Sequence, residues 1–367
     1  MSCRLLALFL WLLAASAEAC NAPVFRYALE RWNKRDADEL YSLYVFHGQP
    51  PLDEKQRRDL DALQDKLEDA KSAVNLLVYS VNTTKPINDP AIAAVYAEHS
   101  ARYGDKAPFF ALMFPKVWGI KRALAVGPYD GAVVQAWLQS PLRQEIGRRL
   151  LQGDSGVFLF LESGVRADDE EKLALVESRL RALEKEITLP ARTDAAKDKL
   201  LREDIPLKIA FSVLRLSRAD KVESRLIQML LAMDRDGGLP AEKQPVLIPI
   251  YGRGIAMVNE CLIGKGINEK NVESLARFVT GPCSCEVRRQ NPGIEILSDV
   301  DWDGPPPAEP ETRSGVPAVR VTENMTENAP AGGASNVWRY LLWVLGGTAG
   351  GVAVATLFIL VRRKQGV

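Results

Sequence analysis

The sequence predicts an α/β fold made of two tandem βαβαββα units, followed by one C-terminal transmembrane helix. Three observations predict it. Short apolar runs alternate with stretches of helical periodicity across residues 41–150. The same order of elements recurs across residues 156–279. Residues 340–361, YLLWVLGGTAGGVAVATLFILV, carry no charge and are followed at once by Arg362, Arg363 and Lys364. About twenty apolar residues at 1.5 Å rise each cross a hydrocarbon core of roughly 30 Å.

Residues 1–19 read as a secretory signal peptide, with Arg4 as the positive end, an apolar stretch over 5–15 and the small residues Ala17 and Ala19 at the cleavage site. Cleavage there makes Cys20 the first mature residue. Acylation of that cysteine, as in a bacterial lipoprotein, is an alternative that Ala17 and Glu18 fit poorly and that a transmembrane anchor makes redundant.

The first unit is assigned residues 20–152. YSLYVF at 41–46 is a strand. Leu60, Leu63, Leu67, Ala70 and Val74 mark a helix over 52–74. NLLVYSV at 75–81 is a second strand, and Asp89-Pro90 opens a helix over 90–103. Pro108 precedes the strand FFALMF; 120–126 returns as its partner, and a helix covers 130–150.

The second unit is assigned residues 153–302. GVFLFL at 156–161 is a strand, and Leu173, Val176, Leu180, Leu183 and Ile187 define a helix over 169–187. Asp168, Asp169, Glu170 and Glu171 are its negative first turn. LKIAFSVLRL at 207–216 is a strand, 221–233 a helix, and Pro245 leads into VLIPIYG. Residues 254–262 are its hairpin partner and 271–279 the closing helix, with Gly252-Arg253-Gly254 and Gly264-Lys265-Gly266 as tight turns. A single larger α/β domain with an incidental repeat is the alternative.

This order of elements, with a proline before each hairpin strand, resembles the thioredoxin fold. The resemblance implies that Pro108 and Pro245 occupy the place of the cis proline beside a thioredoxin active site. It also implies where the chemistry should lie: Cys-x-x-Cys at the helix after the first strand of each unit, where the helix N-terminus favours a thiolate. Those positions read His47-Gly48-Gln49-Pro50-Pro51 and Glu162-Ser163-Gly164-Val165-Arg166, without cysteine. The scaffold is expected and its usual redox chemistry is not. His47 alone there has acid–base capability, and a lone histidine at a strand end is more often a hydrogen-bonded loop residue.

Of five cysteines, Cys3 leaves with the leader, and Cys20, Cys261, Cys283 and Cys285 remain. In an exported chain they point first to disulfides, and four cysteines allow three pairings. Arg288 and Arg289 lie close enough to Cys283-Ser284-Cys285 to favour a thiolate, which makes a redox pair the second possibility. A soft-metal site for copper(I) is the third. The aromatic-rich N-terminus CNAPVFRYALERW, with GPCSCEV and Gln290-Asn291-Pro292-Gly293, is similar to a group of uncharacterised exported bacterial proteins. That resemblance implies only that these two segments belong together.

Lys plus Arg and Asp plus Glu both number 47, so no basic stripe points to nucleic acid. Two histidines are too few for a histidine-rich metal site, and no phosphate loop, dinucleotide fingerprint, zinc-protease or nucleophile-elbow motif occurs. Asp299, Asp301 and Asp303 around Trp302 read as a solvated domain edge. Residues 303–337, rich in Pro, Gly, Glu and Thr, form a disordered tether. Residues 338–361 span the membrane, and 362–367 form a cytoplasmic tail by the positive-inside rule. Gly346, Gly347, Gly350 and Gly351 give the span a small-residue face for packing on a partner helix or a second copy.

The expected protein is therefore an ectodomain exported to the periplasmic or other extracytoplasmic side and held by a single span. It would be a non-catalytic binding or scaffold component of an envelope complex, using no cofactor and no metal. The alternatives are a thiol–disulfide oxidoreductase or redox sensor using Cys283 and Cys285, and a soft-metal-binding protein.

Overall fold

Residues 41–47 read YSLYVFH, and all but the last are buried, as a strand covered on both faces requires. A computed structural model of the chain describes residues 22–30, 37–68, 72, 74–104, 106–189, 202–235, 237–239, 242–282 and 293–307. Strand β1 (Tyr41–His47) pairs in parallel with β2 (Leu76–Asn82) and antiparallel with β3 (Phe109–Met113), which pairs antiparallel with β4 (Ala123–Pro128). The sheet order is β2-β1-β3-β4.

The second sheet repeats that arrangement. Strand β5 (Gly156–Leu161), wholly buried, pairs in parallel with β6 (Phe211–Leu216) and antiparallel with β7 (Val246–Tyr251). Two short strands, β8 (Ile255–Ala256) and β9 (Leu262–Ile263), both pair antiparallel with β7. A third, β10 (Ile294–Glu295), extends the sheet beyond β8.

The helices are α1 (Val24–Glu30), α2 (Glu54–Glu68), α3 (Pro90–Tyr103), α4 (Gly131–Leu138), α5 (Pro141–Leu151), α6 (Arg166–Glu186), α7 (Ser224–Ala232) and α8 (Glu269–Thr280). They sort the molecule into five layers. Helix α3 covers the outer face of the first sheet through Tyr44, Phe46 and Phe109. The inner faces of both sheets share one core with α2, α4, α5 and α7 between them, running from Leu43 and Leu112 to Trp137, Leu230, Leu159 and Ile248. Helices α1, α6 and α8 cover the outer face of the second sheet through Phe25, Val176 and Val279. Both sheets belong to one unit, Met1–Glu309.

Three departures from the sequence expectation have local causes. The helix expected over 130–150 is two, because Ser140 accepts from Arg143 N and Pro141 starts a new helix at its first position. The hairpin partner expected over 254–262 is broken into β8 and β9, beginning where Gly252 and Gly254 take positive φ of 58° and 80°. At Gly252 a Cβ would lie 2.5 Å from that of Ala28, so α1 can sit directly on the turn.

The third departure is residues 293–307, which form a strap instead of a solvated edge. Ile296, Leu297, Ser298 and Trp302 are buried. Tyr41 Oη donates to Glu295 O at 2.9 Å, Asn75 Nδ2 to Ile296 O at 3.0 Å, and Ser298 N to Asn75 Oδ1 at 3.0 Å. Asp299 accepts from Lys66 at 3.0 Å and Gln144 at 3.1 Å, and Asp303 pairs with Arg253 at 2.6 Å. Gly304 O accepts from Arg202 and Pro307 O from Gln152, so the expected tether does not begin at residue 303.

The signal peptide over 1–19, the rest of the tether and the span over 338–361, with Gly346, Gly347, Gly350 and Gly351, lie outside the described residues. Among the described residues no helix is long and apolar enough to cross a membrane.

Candidate functional site

Parallel strands end side by side, and the carboxyl ends of such strands are where open α/β sheets bind ligands. The first such end is built by β1 and β2. His47 closes β1, and its Nε2 lies 2.9 Å from Ser80 Oγ on β2. The His47 carbonyl accepts from Thr83 N at 2.8 Å and from Thr83 Oγ1 at 3.1 Å. Asn82 Oδ1 accepts from Thr84 N and Oγ1 at 2.9 and 2.7 Å.

Helix α2 opens beside this end with a reciprocal cap. Gln56 N donates to Asp53 Oδ1 at 2.7 Å, and Asp53 N to Gln56 Oε1 at 3.0 Å. Gln56 Nε2 then reaches Tyr129 O at 2.9 Å, tying the loop to the end of β4. Partial burial, helped by the field of Arg57, holds the His47 pKa below its ordinary value, so its ring is neutral at pH 7. This end offers a neutral imidazole against a hydroxyl, with polar loops held by their own backbone. It has no thiol.

The second end, at β5 and β6, is sealed. The buried Asp169 carboxylate accepts from Ser163 N at 2.8 Å, Ser163 Oγ at 2.9 Å and Gly164 N at 3.0 Å. Arg215 pairs with Glu162 across the same strand ends. The acidic first turn read from the sequence thus has one buried member, which fixes the loop ahead of its helix.

The proline expectation is corrected. Among the described residues the one cis peptide bond is Gln49–Pro50, and the bonds preceding Pro108 and Pro245 are trans. Each of these two prolines leads straight into its strand. Pro108 O already accepts from Tyr129 N at 2.8 Å and Pro245 O from Gly264 N at 2.9 Å. The trans isomer, favoured by about 0.5–1 kcal/mol, meets that register.

Of the candidate cysteines only Cys261 lies among the described residues; Cys20, Cys283 and Cys285 lie outside them. Cys261 is a free, partly buried thiol. Burial, with Asp234 and Glu260 adding their charge, pushes its pKa up to about 12. The two segments that the sequence linked do meet. Pro23 and Pro282 form an antiparallel bridge, and Val24 N donates to Gly281 O at 2.9 Å. Cys261 belongs to the segment leading into α8, whereas Pro282 follows that helix, whose 12 residues rise about 18 Å. Among the described residues no group of three or more His, Cys, Asp or Glu side chains could hold a metal ion.

A cleft of about 450 Å³ between α2 and α4 is lined by Lys55, Asp59, Leu63, Lys66, Val134 and Gln135. Its lysines are already paired, Lys55 with Asp59 at 2.7 Å and Lys66 with Asp299 at 3.0 Å. The polar groups that the sequence reading missed are Arg143 and Glu223, both buried between the sheets; no hydrogen bond joins them, and the Arg143 guanidinium has no hydrogen-bond partner among the described residues. Glu223 Oε1 accepts from Leu142 N at 2.8 Å. Burial lowers the Arg143 pKa to about 10, although Glu223 opposes the shift. The signal was present: Arg143 stands at the spacing of Ile146, Gly147, Leu150 and Leu151, on the buried face of α5.

No family model, curated protein or solved structure matches this chain.

Proposed function

We propose that this chain is a membrane-anchored, exported ectodomain of two thioredoxin-like units that binds or scaffolds another envelope protein and performs no thiol–disulfide chemistry at its strand ends. The tandem reading is supported by the matching orders β2-β1-β3-β4 and β6-β5-β7-β8, each with one parallel and two antiparallel pairings. The observation that carries the functional reading is the Asp169 cap. Three hydrogen bonds to one buried carboxylate fill the position at which a redox thioredoxin holds its cysteines. The first strand end has His47 and Pro50 there, again without sulfur. The shared core between the sheets joins the pair into one unit, which suits a scaffold.

Export and anchoring rest on residues 1–19 and 340–364. We assign Cys20 to a structural disulfide with Cys283 or Cys285 near the Pro23–Pro282 bridge, with Cys261 and the remaining cysteine of that pair left as thiols.

The test uses the full-length chain in membranes and in detergent. The reading expects the chain to resist extraction at high pH and to show no turnover with a dithiol–disulfide substrate pair. Release from the membrane by alkali overturns the anchor, and catalytic exchange abolished by Cys283→Ser and Cys285→Ser overturns the scaffold assignment.

A further inference from the structure

Strand β2 ends its sheet on one side, and its burial differs from that of any buried strand. Tyr79 and Ser80 point to opposite faces, yet both are exposed, and Asn82 is exposed as well. Leu76–Asn82 contains no proline, no lysine and no bulge in its pairing with β1, so it lacks the usual devices that blunt an edge. The outward backbone groups of such a strand are ready to pair with an extended chain.

The equivalent edge in the second sheet is treated differently. There Phe211 N, at the start of β6, donates to Glu184 Oε1 at 2.7 Å. Ser212 Oγ is held by Arg149 at 2.8 Å and also bonds Asp154. Of the two halves of one topology, one edge thus has its first backbone N–H taken by a side chain, and the other has no such bond among the described residues.

The charged side chains at the β2 edge that make no ion pair or helix cap among the described residues are basic. Arg57, on the first turn of α2, acts on His47 at the carboxyl end of β1, and Lys85 follows β2. Both are exposed and make no ion pair among the described residues. The nearby acids are engaged: Asp53 and Asp89 cap α2 and α3, and Glu54 pairs with Arg58 at 2.8 Å.

We infer that the β2 edge, Leu76–Asn82 with Arg57 and Lys85 at its carboxyl end, is a docking site for an extended acidic peptide segment of the partner protein, added to the first sheet as a fifth strand. Backbone pairing supplies the affinity. Tyr79, stacked on Tyr44 at 5.1 Å, supplies an aromatic surface for an apolar side chain on one face. Arg57 and Lys85 select carboxylates. This inference rests on the binding-module reading above. That reading is scored separately by alkali extraction and redox inertness, so a failed docking experiment does not read as a failed anchor.

The experiment titrates the full-length chain in detergent with three fluorescent probes. These are an alternating Val/Glu heptapeptide, its Val/Lys counterpart, and the Val/Glu peptide N-methylated on alternate amides in both registers. The Val/Glu peptide is expected to bind about tenfold tighter than the Val/Lys peptide, and less tightly as salt is added. The N-methylated peptides lose binding, and amide exchange slows within β2 on saturation. Arg57→Glu with Lys85→Glu, two exposed changes that leave the core intact, should reverse the charge preference. Equal binding of both charged peptides, or protection confined to another element, overturns the inference. So does a dimeric mass with β2 already protected before peptide is added, which would give the edge to a second copy.

Discussion

Glu223 caps a helix of the opposite half: its Oε1 accepts from Leu142 N at 2.8 Å, in the first turn of α5. A carboxylate at a helix N-terminus is favourable, and here its charge also acts on the buried Arg143, without a hydrogen bond between them. The two halves are therefore joined by a charged hydrogen bond inside a shared apolar core. Arg122 adds a surface tie, its Nη2 donating at 2.6 Å to both Ala232 O and Asp234 O at the end of α7.

Glu223→Ala removes the acceptor of Leu142 N and the one carboxylate whose charge most favours the buried Arg143, and is expected to destabilise the chain by about 1–3 kcal/mol. The double variant Arg143→Met with Glu223→Gln keeps an acceptor for Leu142 N and removes both charges. It is expected to be neutral or more stable by about 1–4 kcal/mol. Urea unfolding of both variants in the same detergent checks this, and a double variant as unstable as Glu223→Ala would contradict it.

Asn75 brackets the strap with both ends of its amide, donating to Ile296 O and accepting from Ser298 N. Asn75→Ala orphans two buried backbone groups and is expected to cost about 2–4 kcal/mol. Limited proteolysis should then cut within 293–307 before any other described segment. Cutting first elsewhere would mean the strap is held chiefly by Trp302 and its apolar neighbours.

What the sequence disclosed follows from how local each cause is. GVFLFL and YSLYVF announce buried strands in six letters, and the Ser140-Pro141 break is readable from two. The strap was hidden because ILSDVDW has acids at every second place, as a solvated edge would. Its partners, Tyr41 and Asn75, are more than two hundred residues away in sequence. Arg143 was legible as a charge at an apolar-face position and was passed over. The first strand end was located by its motif position, but the Ser80 partner of His47 is a diagonal neighbour across the sheet, since the register sets Asn82 opposite His47. The prolines were misjudged because their place in the order of elements carries no information about isomer.

His47 gives the fold a defined acid sensitivity. Its folded pKa lies below the ordinary 6.5, chiefly through burial. Between those two values the unfolded chain holds a proton that the folded chain does not. Stability therefore rises with pH through that window, and is lost as pH falls below 6.5 through the folded value. His47→Asn removes the titrating group, so the wild-type minus variant difference in urea midpoint should shrink between pH 7.5 and pH 5. A difference that stays flat would show that Ser80 holds the charged ring as well as the neutral one.

The cysteines divide by position, and their chemistry should divide with them. Cys261 is a thiol shielded by burial beside Asp234 and Glu260, with its pKa pushed up to about 12. Thiolate is the reactive form, so iodoacetamide at pH 8 should leave Cys261 unmodified in the folded chain and label it within minutes in urea. Cys283 directly follows Pro282, and Cys20 lies three residues before Pro23, the residue bridged to it. We expect non-reducing peptide mapping to find Cys20 joined to Cys283 or Cys285. Cys261 is a free thiol, so a disulfide from it to either is not expected. Recovery of such a disulfide would overturn that assignment, and native labelling of Cys261 would overturn its shielding.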